Sequence, residues 1–302
     1  CMTASILSPA RQSYRGQMTD PARWAVWTPR AGDILVCTPP KCGTTWTQTM
    51  LAMLLHGGPD LPDKLPVISP WVDADLGVPA DEVAAALAAQ KGRRVVKTHT
   101  PADGFPVWDG VTVIVVLRHP LDVFFSLRKH NANMVQVDDD HPMRWELGAS
   151  FRHFVDTDAD VCDFDRDTLE TVTWFFRETV LSGRVPAGRV FHYADMVADG
   201  RRAVARLAEA AGVDAGPGLV DRVAEATAFG AMKARAADYA PVGGTGFWKS
   251  DAAFFDAASS RKWEGQLSDA DLAHYAARLG HLIPEAGARD WLEWGGSWPG
   301  SR

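Results

Sequence analysis

No apolar run in these 302 residues approaches the roughly 20 needed to span a bilayer as a helix, which excludes a helical membrane protein. The N-terminus also lacks the basic start and apolar centre of a signal peptide, so the expectation is a soluble, cytoplasmic protein. Positive charge is in short supply. A net charge of −7 counts against nucleic acid as a partner, and any anionic ligand must be held by local positive groups rather than by a global field. Cysteine is scarce as well: Cys1, Cys37, Cys42 and Cys162 show neither metal-ligand spacing nor a secreted disulfide pattern, and are read as reduced thiols. No metal site is expected. Nothing marks a linker between two comparable halves, and 46% hydrophobic content is enough for a sizeable core, so residues 1–302 are expected to form one α/β domain.

What is present begins with Asp33-Ile-Leu-Val-Cys-Thr-Pro-Pro-Lys-Cys-Gly-Thr-Thr-Trp46. An apolar run of strand length, Ile34 to Cys37, meets two prolines, and a helical pattern restarts at Thr44. A strand that ends in a Lys-and-Gly loop opening a helix is an anion site: the first helical N–H groups lack partners, the dipole is positive there, and Lys41 adds a full charge. The order differs from the magnesium-nucleotide loop, where lysine follows the last glycine and a hydroxyl residue follows the lysine. Here Lys41 precedes Gly43 and is followed by Cys42.

Two more strands follow, Arg93 to His99 and Val111 to Leu117, with a helix over Asp81 to Gln90 between the first two; Arg189 to Tyr193 reads as another. Strands separated by helices imply a central parallel sheet flanked by helices, with ligands at the carboxyl ends of the strands. Lys41, Lys97, His99 and Arg118 all fall at such ends. Pro120 and Asp122 open a helix directly after Arg118, and Ser126 lies two turns in. Helices are also expected over Thr168 to Leu181, Val204 to Ala211 and Leu219 to Ala226. Residues 1–32 form an N-terminal segment with Trp24 and Trp27 as anchors, 131–167 carry scattered aromatics, and 241–266 a Gly- and aromatic-rich loop.

Pro40-Lys41-Cys42-Gly43-Thr44-Thr45-Trp46 resembles the Pro-Lys-Ser-Gly-Thr-Thr-Trp loop of sulfotransferases that use 3′-phosphoadenosine-5′-phosphosulfate (PAPS), with Cys42 in place of the serine. The resemblance implies the P-loop-like sulfotransferase fold and a 5′-phosphate site at Lys41, Cys42, Gly43, Thr44 and Thr45, with Trp46 stacking on the adenine. By the same match Arg118 and Ser126 would hold the 3′-phosphate, while Tyr193, Thr227 and Phe229 would border the base. The bisphosphate PAP would be the product, and no metal would be required. Segments Gly58-Pro-Asp-Leu-Pro62, Ile68-Ser-Pro-Trp71 and Lys97-Thr-His-Thr-Pro101 are similar to bacterial glycolipid-type members. Counting back from Trp263, Asp256 stands where relatives carry a basic 3′-phosphate residue, followed by Ala257 and Ala258; Arg261 and Lys262 are expected to take over.

Sulfuryl transfer needs in-line positioning, charge neutralisation and a base for the acceptor hydroxyl. His99 is the expected base, as in the family's Lys-Thr-His motif, with Lys41 at the bridging oxygen and Lys97 at the sulfuryl oxygens. The function implied is transfer to a hydroxyl of a small apolar or amphipathic acceptor: glycolipid, phenol or steroid-like. Its pocket is expected to be lined by some of Trp71, Phe105, Trp145, Phe247 and Trp248, under a lid formed by 131–167. A small-molecule kinase and a non-catalytic nucleotide-binding relative are the alternatives, the latter favoured only by Asp256. Acceptor identity and oligomeric state are not legible.

Overall fold

The computed structural model describes residues 3–255 and 259–298. Its strands are β1 (Ile6–Ser8), β2 (Ile34–Cys37), β3 (Val95–Thr98), β4 (Val107–Trp108), β5 (Thr112–Leu117) and β6 (Val190–His192). Four of them form a parallel sheet in the order β3-β2-β5-β6, with Val36 beside Lys97 and Ile114, and Leu117 beside His192. The non-sequential order brings the carboxyl ends of β2, β3 and β5 side by side. Alternate residues serve opposite cores: Leu35, Cys37, Val96, Val115 and Leu117 face one, Ile34, Val36, Val95, Ile114 and Val116 the other. Burial on both faces is why these strands read as continuous apolar runs.

The first half supplies α1 (Thr44–His56), α2 (Leu65–Ile68), α3 (Ala80–Ala89), α4 (Pro120–Asn133), α5 (Leu147–Asp156) and α6 (Leu169–Phe176). The second half supplies α7 (Tyr193–Ala198), α8 (Gly200–Ala210), α9 (Pro217–Ala226), α10 (Phe229–Ala234), α11 (Ala236–Tyr239), α12 (Asp251–Phe254), α13 (Asp269–Leu282) and α14 (Ala286–Trp294). Met50, Leu51, Val204 and Val223 pack α1, α8 and α9 on one face; Phe124, Phe151, Phe175, Leu279 and Trp291 pack α4, α5, α6, α13 and α14 on the other. Among the described residues no helix is long and apolar enough to cross a membrane.

Three features depart from the sequence reading. Residues 147–156, expected only to carry scattered aromatics, form α5, whose Phe151 and Phe154 are fully buried. A further helix, α14, follows α13 and carries Trp291 and Leu292 into the core. The N-terminal segment pairs β1 with β4 in a small antiparallel sheet, and Trp27 packs edge-on against Trp108. Phe105, one of the residues offered for the acceptor pocket, stacks on Trp108 in this same cluster and is 2% exposed.

At the amino ends of β2 and β3, Asp33 binds Arg94 through Nε at 3.2 Å and Nη2 at 2.5 Å, and also accepts from Trp27 Nε1 and the Arg30 amide. Both partners are buried, and every carboxylate bond is charge-assisted.

Candidate active site

Pro39 and Pro40 remove two ladder donors after β2, and the chain then passes through left-handed backbone at Lys41 (φ 64°) and Gly43 (φ 88°) before α1 starts. No side chain caps α1, so its first-turn amides remain available to an anion. A left-handed lysine costs about 1–2 kcal/mol. Arg118 helps to hold it, donating from Nη1 to the Lys41 carbonyl at 3.0 Å. Cys42 is fully buried, and burial pushes its thiol up to about 12 despite Arg118 and Lys41 nearby, so it is an uncharged filler of the loop.

Beyond β3, His99 Nδ1 lies 2.8 Å from the Thr38 carbonyl oxygen. A carbonyl only accepts, so the proton sits on Nδ1 and Nε2 presents a lone pair. Burial, with Lys97 and Lys41 nearby, pushes the imidazole pKa down to about 3. Lys97 is 8% exposed; burial lowers it to about 8 while Asp73 pulls it back up. Its ammonium stands 5.4 Å from the Trp71 ring centre, and Trp71 packs edge-on against His99 at 4.6 Å.

Asp73 escaped the sequence reading. This fully buried carboxylate accepts from Thr98 Oγ1 (2.8 Å), Thr100 Oγ1 (2.5 Å) and Trp71 Nε1 (2.9 Å), clamping the residues on both sides of His99. Burial raises its pKa to about 6 against those bonds.

Lys41 Nζ lies 3.1 Å from His130 Nδ1 and 4.7 Å from the centre of the Phe254 ring. His130 belongs to α4, one turn after Ser126, and packs against Trp248 at 4.8 Å. Trp248 is held there because residues 247–250 run along the end of α4: Val135 N bonds the Phe247 carbonyl, and Asn133 exchanges side-chain hydrogen bonds with the backbone of Ser250. At the other end of α4 the Asp122 carboxylate accepts the amides of Arg261 (3.0 Å) and Lys262 (2.9 Å). Asp167 is a further acid beside this cluster; burial and Asp165 raise it to about 7 while Lys41 lowers it.

On the far side of the loop, Trp46 lies in the first turn of α1 rather than in the loop, and bonds the Thr227 carbonyl at 2.7 Å. Its ring meets Tyr193 at 5.8 Å, and the Arg118 guanidinium lies over Tyr193 at 4.2 Å. Arg118 Nη2 reaches the Ser259 carbonyl at 3.2 Å, whereas its Nε is buried without a partner among the described residues. Arg118, Asp122, Ser260 and Arg261 line a cavity of about 390 Å³ closed by Glu293 and Trp294 of α14. The Arg261 side chain itself turns to Trp294 and Glu264. Ser126 is buried on α4, and Phe229, half-buried, opens α10 beside Lys233. Asp256 to Ala258 lie outside the described residues.

The structure thus gathers Lys41, Lys97 and His99 at neighbouring strand ends, with Trp46, Arg118, Tyr193 and Thr227 as a second group across Gly43. Trp145 packs on His153, whereas Trp71 packs on His99 and Trp248 on His130. His130 had a legible signal, since it falls four residues after Ser126 on a helix that was expected; Asp73 had none beyond its place next to Trp71.

A parallel α/β sheet with an uncapped Lys-Gly helix start is the frame of a nucleotide-dependent group-transfer protein. The chain belongs to the sulfotransferase family: residues 31–280 match the sulfotransferase domain. It is 33% identical to a glycolipid sulfotransferase of Mycobacterium bovis over 94% of either chain. The match to that of Mycobacterium tuberculosis is 32% over the same share. A mouse sulfotransferase complexed with PAP superposes with a TM-score of 0.67 at 16% identity, covering 90% of this chain and 92% of that one. Retinol dehydratase in a complex with retinol and PAP gives 0.64 at 17%, over 85% and 82%.

Proposed function

We propose that the protein transfers a sulfuryl group from PAPS to a hydroxyl of a small amphipathic acceptor, with His99 as the base. One observation carries the reading: the His99–Thr38 bond leaves Nε2 as an unprotonated lone pair, with Lys97 and Lys41 nearby. The residues present fit the donor, because the start of α1 carries no side-chain cap and the buried Nε of Arg118 has no partner among the described residues, so both could meet anionic groups. When bound, PAPS supplies an already activated sulfuryl group. His99 Nε2 would take the acceptor's proton as the new O–S bond forms. Lys41 would neutralise the phosphate oxygen that keeps the electron pair of the broken S–O bond, and Lys97 the sulfuryl oxygens. Trp46, Tyr193 and Thr227 would border the adenine, and Arg118, Ser126, Arg261 and Lys262 the 3′-phosphate.

Two similar proteins are named as glycolipid sulfotransferases. That agrees with an acceptor side walled by Trp71 and Trp248 and rimmed by Phe247 and Val135, 38% and 52% exposed. Calorimetric titration with PAP beside AMP and magnesium-ATP tests the donor half: the expected result is a clear preference for PAP. Equal affinity for PAP and AMP overturns the 3′-phosphate site. Transfer of labelled sulfate from PAPS to glycolipid, phenol and steroid panels tests the acceptor half.

A further inference from the structure

Two imidazoles stand at this site, and their partners are opposite in kind. His99 is bonded to a carbonyl, which can only accept; His130 is bonded to Lys41, whose ammonium can only donate. His130 Nδ1 is therefore the unprotonated nitrogen, and the ring carries its proton on Nε2. Burial, with Lys41, Lys97 and His99 close by, holds its pKa well below the usual value and keeps the ring neutral. Its one basic nitrogen is occupied, so it does not compete with His99 for the acceptor's proton.

We propose that His130 is a positioning residue that aims the Lys41 ammonium, an inference that rests on the sulfuryl-transfer reading above. Lysine is a point charge on a flexible four-carbon stem, so a charge needed at one oxygen must be held. Here the stem starts from a left-handed backbone residue, and its end is fixed from two sides, by the Phe254 ring at 4.7 Å and His130 Nδ1 at 3.1 Å. His130 is itself fixed by Trp248, which residues 247–250 secure to the end of α4.

The test compares His130→Phe, which keeps an aromatic ring against Trp248 and lacks the acceptor nitrogen, with His130→Asn, whose Oδ1 restores an acceptor near the Nδ1 position. The expected result for His130→Phe is a fall in kcat of about 10- to 100-fold, the scale of a misplaced catalytic group, with KM for PAPS within about 2-fold of wild type. His130→Asn is expected to recover most of the loss. A wild-type kcat in His130→Phe, or no recovery in His130→Asn, overturns the proposal. Independently of turnover, ¹⁵N NMR should show His130 with its proton on Nε2 and Nδ1 shifted by a donor, and that shift should vanish in Lys41→Met; a proton found on Nδ1 is equally fatal. Failure of the wild-type enzyme to use PAPS would instead defeat the function itself, which the NMR result does not touch.

Discussion

The Nδ1 of His99 lies 2.8 Å from the Thr38 carbonyl, an oxygen at the end of the strand beside its own. The parallel register that puts Cys37 opposite Thr98 delivers this carbonyl to the histidine, so sheet pairing itself sets the tautomer of the proposed base.

Replacing His99 by Ala is expected to lower kcat by about 10²–10⁴-fold, the usual worth of a positioned base, with PAP affinity unchanged by calorimetry. Retained turnover would move the base elsewhere; lost PAP binding would mark His99 as structural.

The rate should fall on the alkaline side. In the proposed mechanism Lys97 acts in its charged form, and burial has brought its pKa down to about 8, so the protonated fraction declines as pH rises through that value. His99, at about 3, stays neutral and active as a base well into the acid range, and contributes no limb near neutrality. Lys97→Arg stays charged throughout and should abolish the alkaline limb in a pH–kcat profile. An unchanged limb assigns it to another group.

Gly43→Ala is expected to weaken PAP binding by about 10-fold, that is about 1.4 kcal/mol. A Cβ there would stand 2.8 Å from Tyr193 Cδ2, on backbone at φ +88°. Titration of the variant with PAP reads the effect directly, and wild-type affinity would show that Tyr193 moves aside freely.

Removing Asp33 leaves the buried Arg94 guanidinium uncompensated, a loss of about 3–5 kcal/mol in unfolding free energy. Urea denaturation of Asp33→Ala should show it, while kcat/KM of the folded protein stays at the wild-type value. A variant with normal stability and altered catalysis would contradict the placement of this pair away from the chemistry.

Much of this was legible in the chain. The runs at Ile34 and Val111, the prolines after Cys37 and Pro120 after Arg118 fix strand ends and helix starts through local backbone rules, and Lys41, Lys97, His99 and Arg118 follow from them. Helix α5 had its pattern in view, with Leu147, Phe151, Phe154 and Val155 at helical spacing, but a preceding acidic stretch and His141-Pro142 masked it. Asp73 was out of reach because its partners Thr98 and Thr100 are about 25 residues away, and only the pairing of Trp71 with Lys97 joins them. The place of Phe105 against Trp108 was out of reach for a related reason: composition marks an aromatic as apolar without saying which apolar surface it joins.

Strands β2 and β3 carry the Asp33–Arg94 pair at one end and lead to Lys41, Lys97 and His99 at the other, while the exposed Val135 and Phe247 lie apart from the pair. On the proposed function, exchanges at Val135 or Phe247 leave the buried Asp33–Arg94 pair untouched, so an acceptor range set there could drift without loss of the fold.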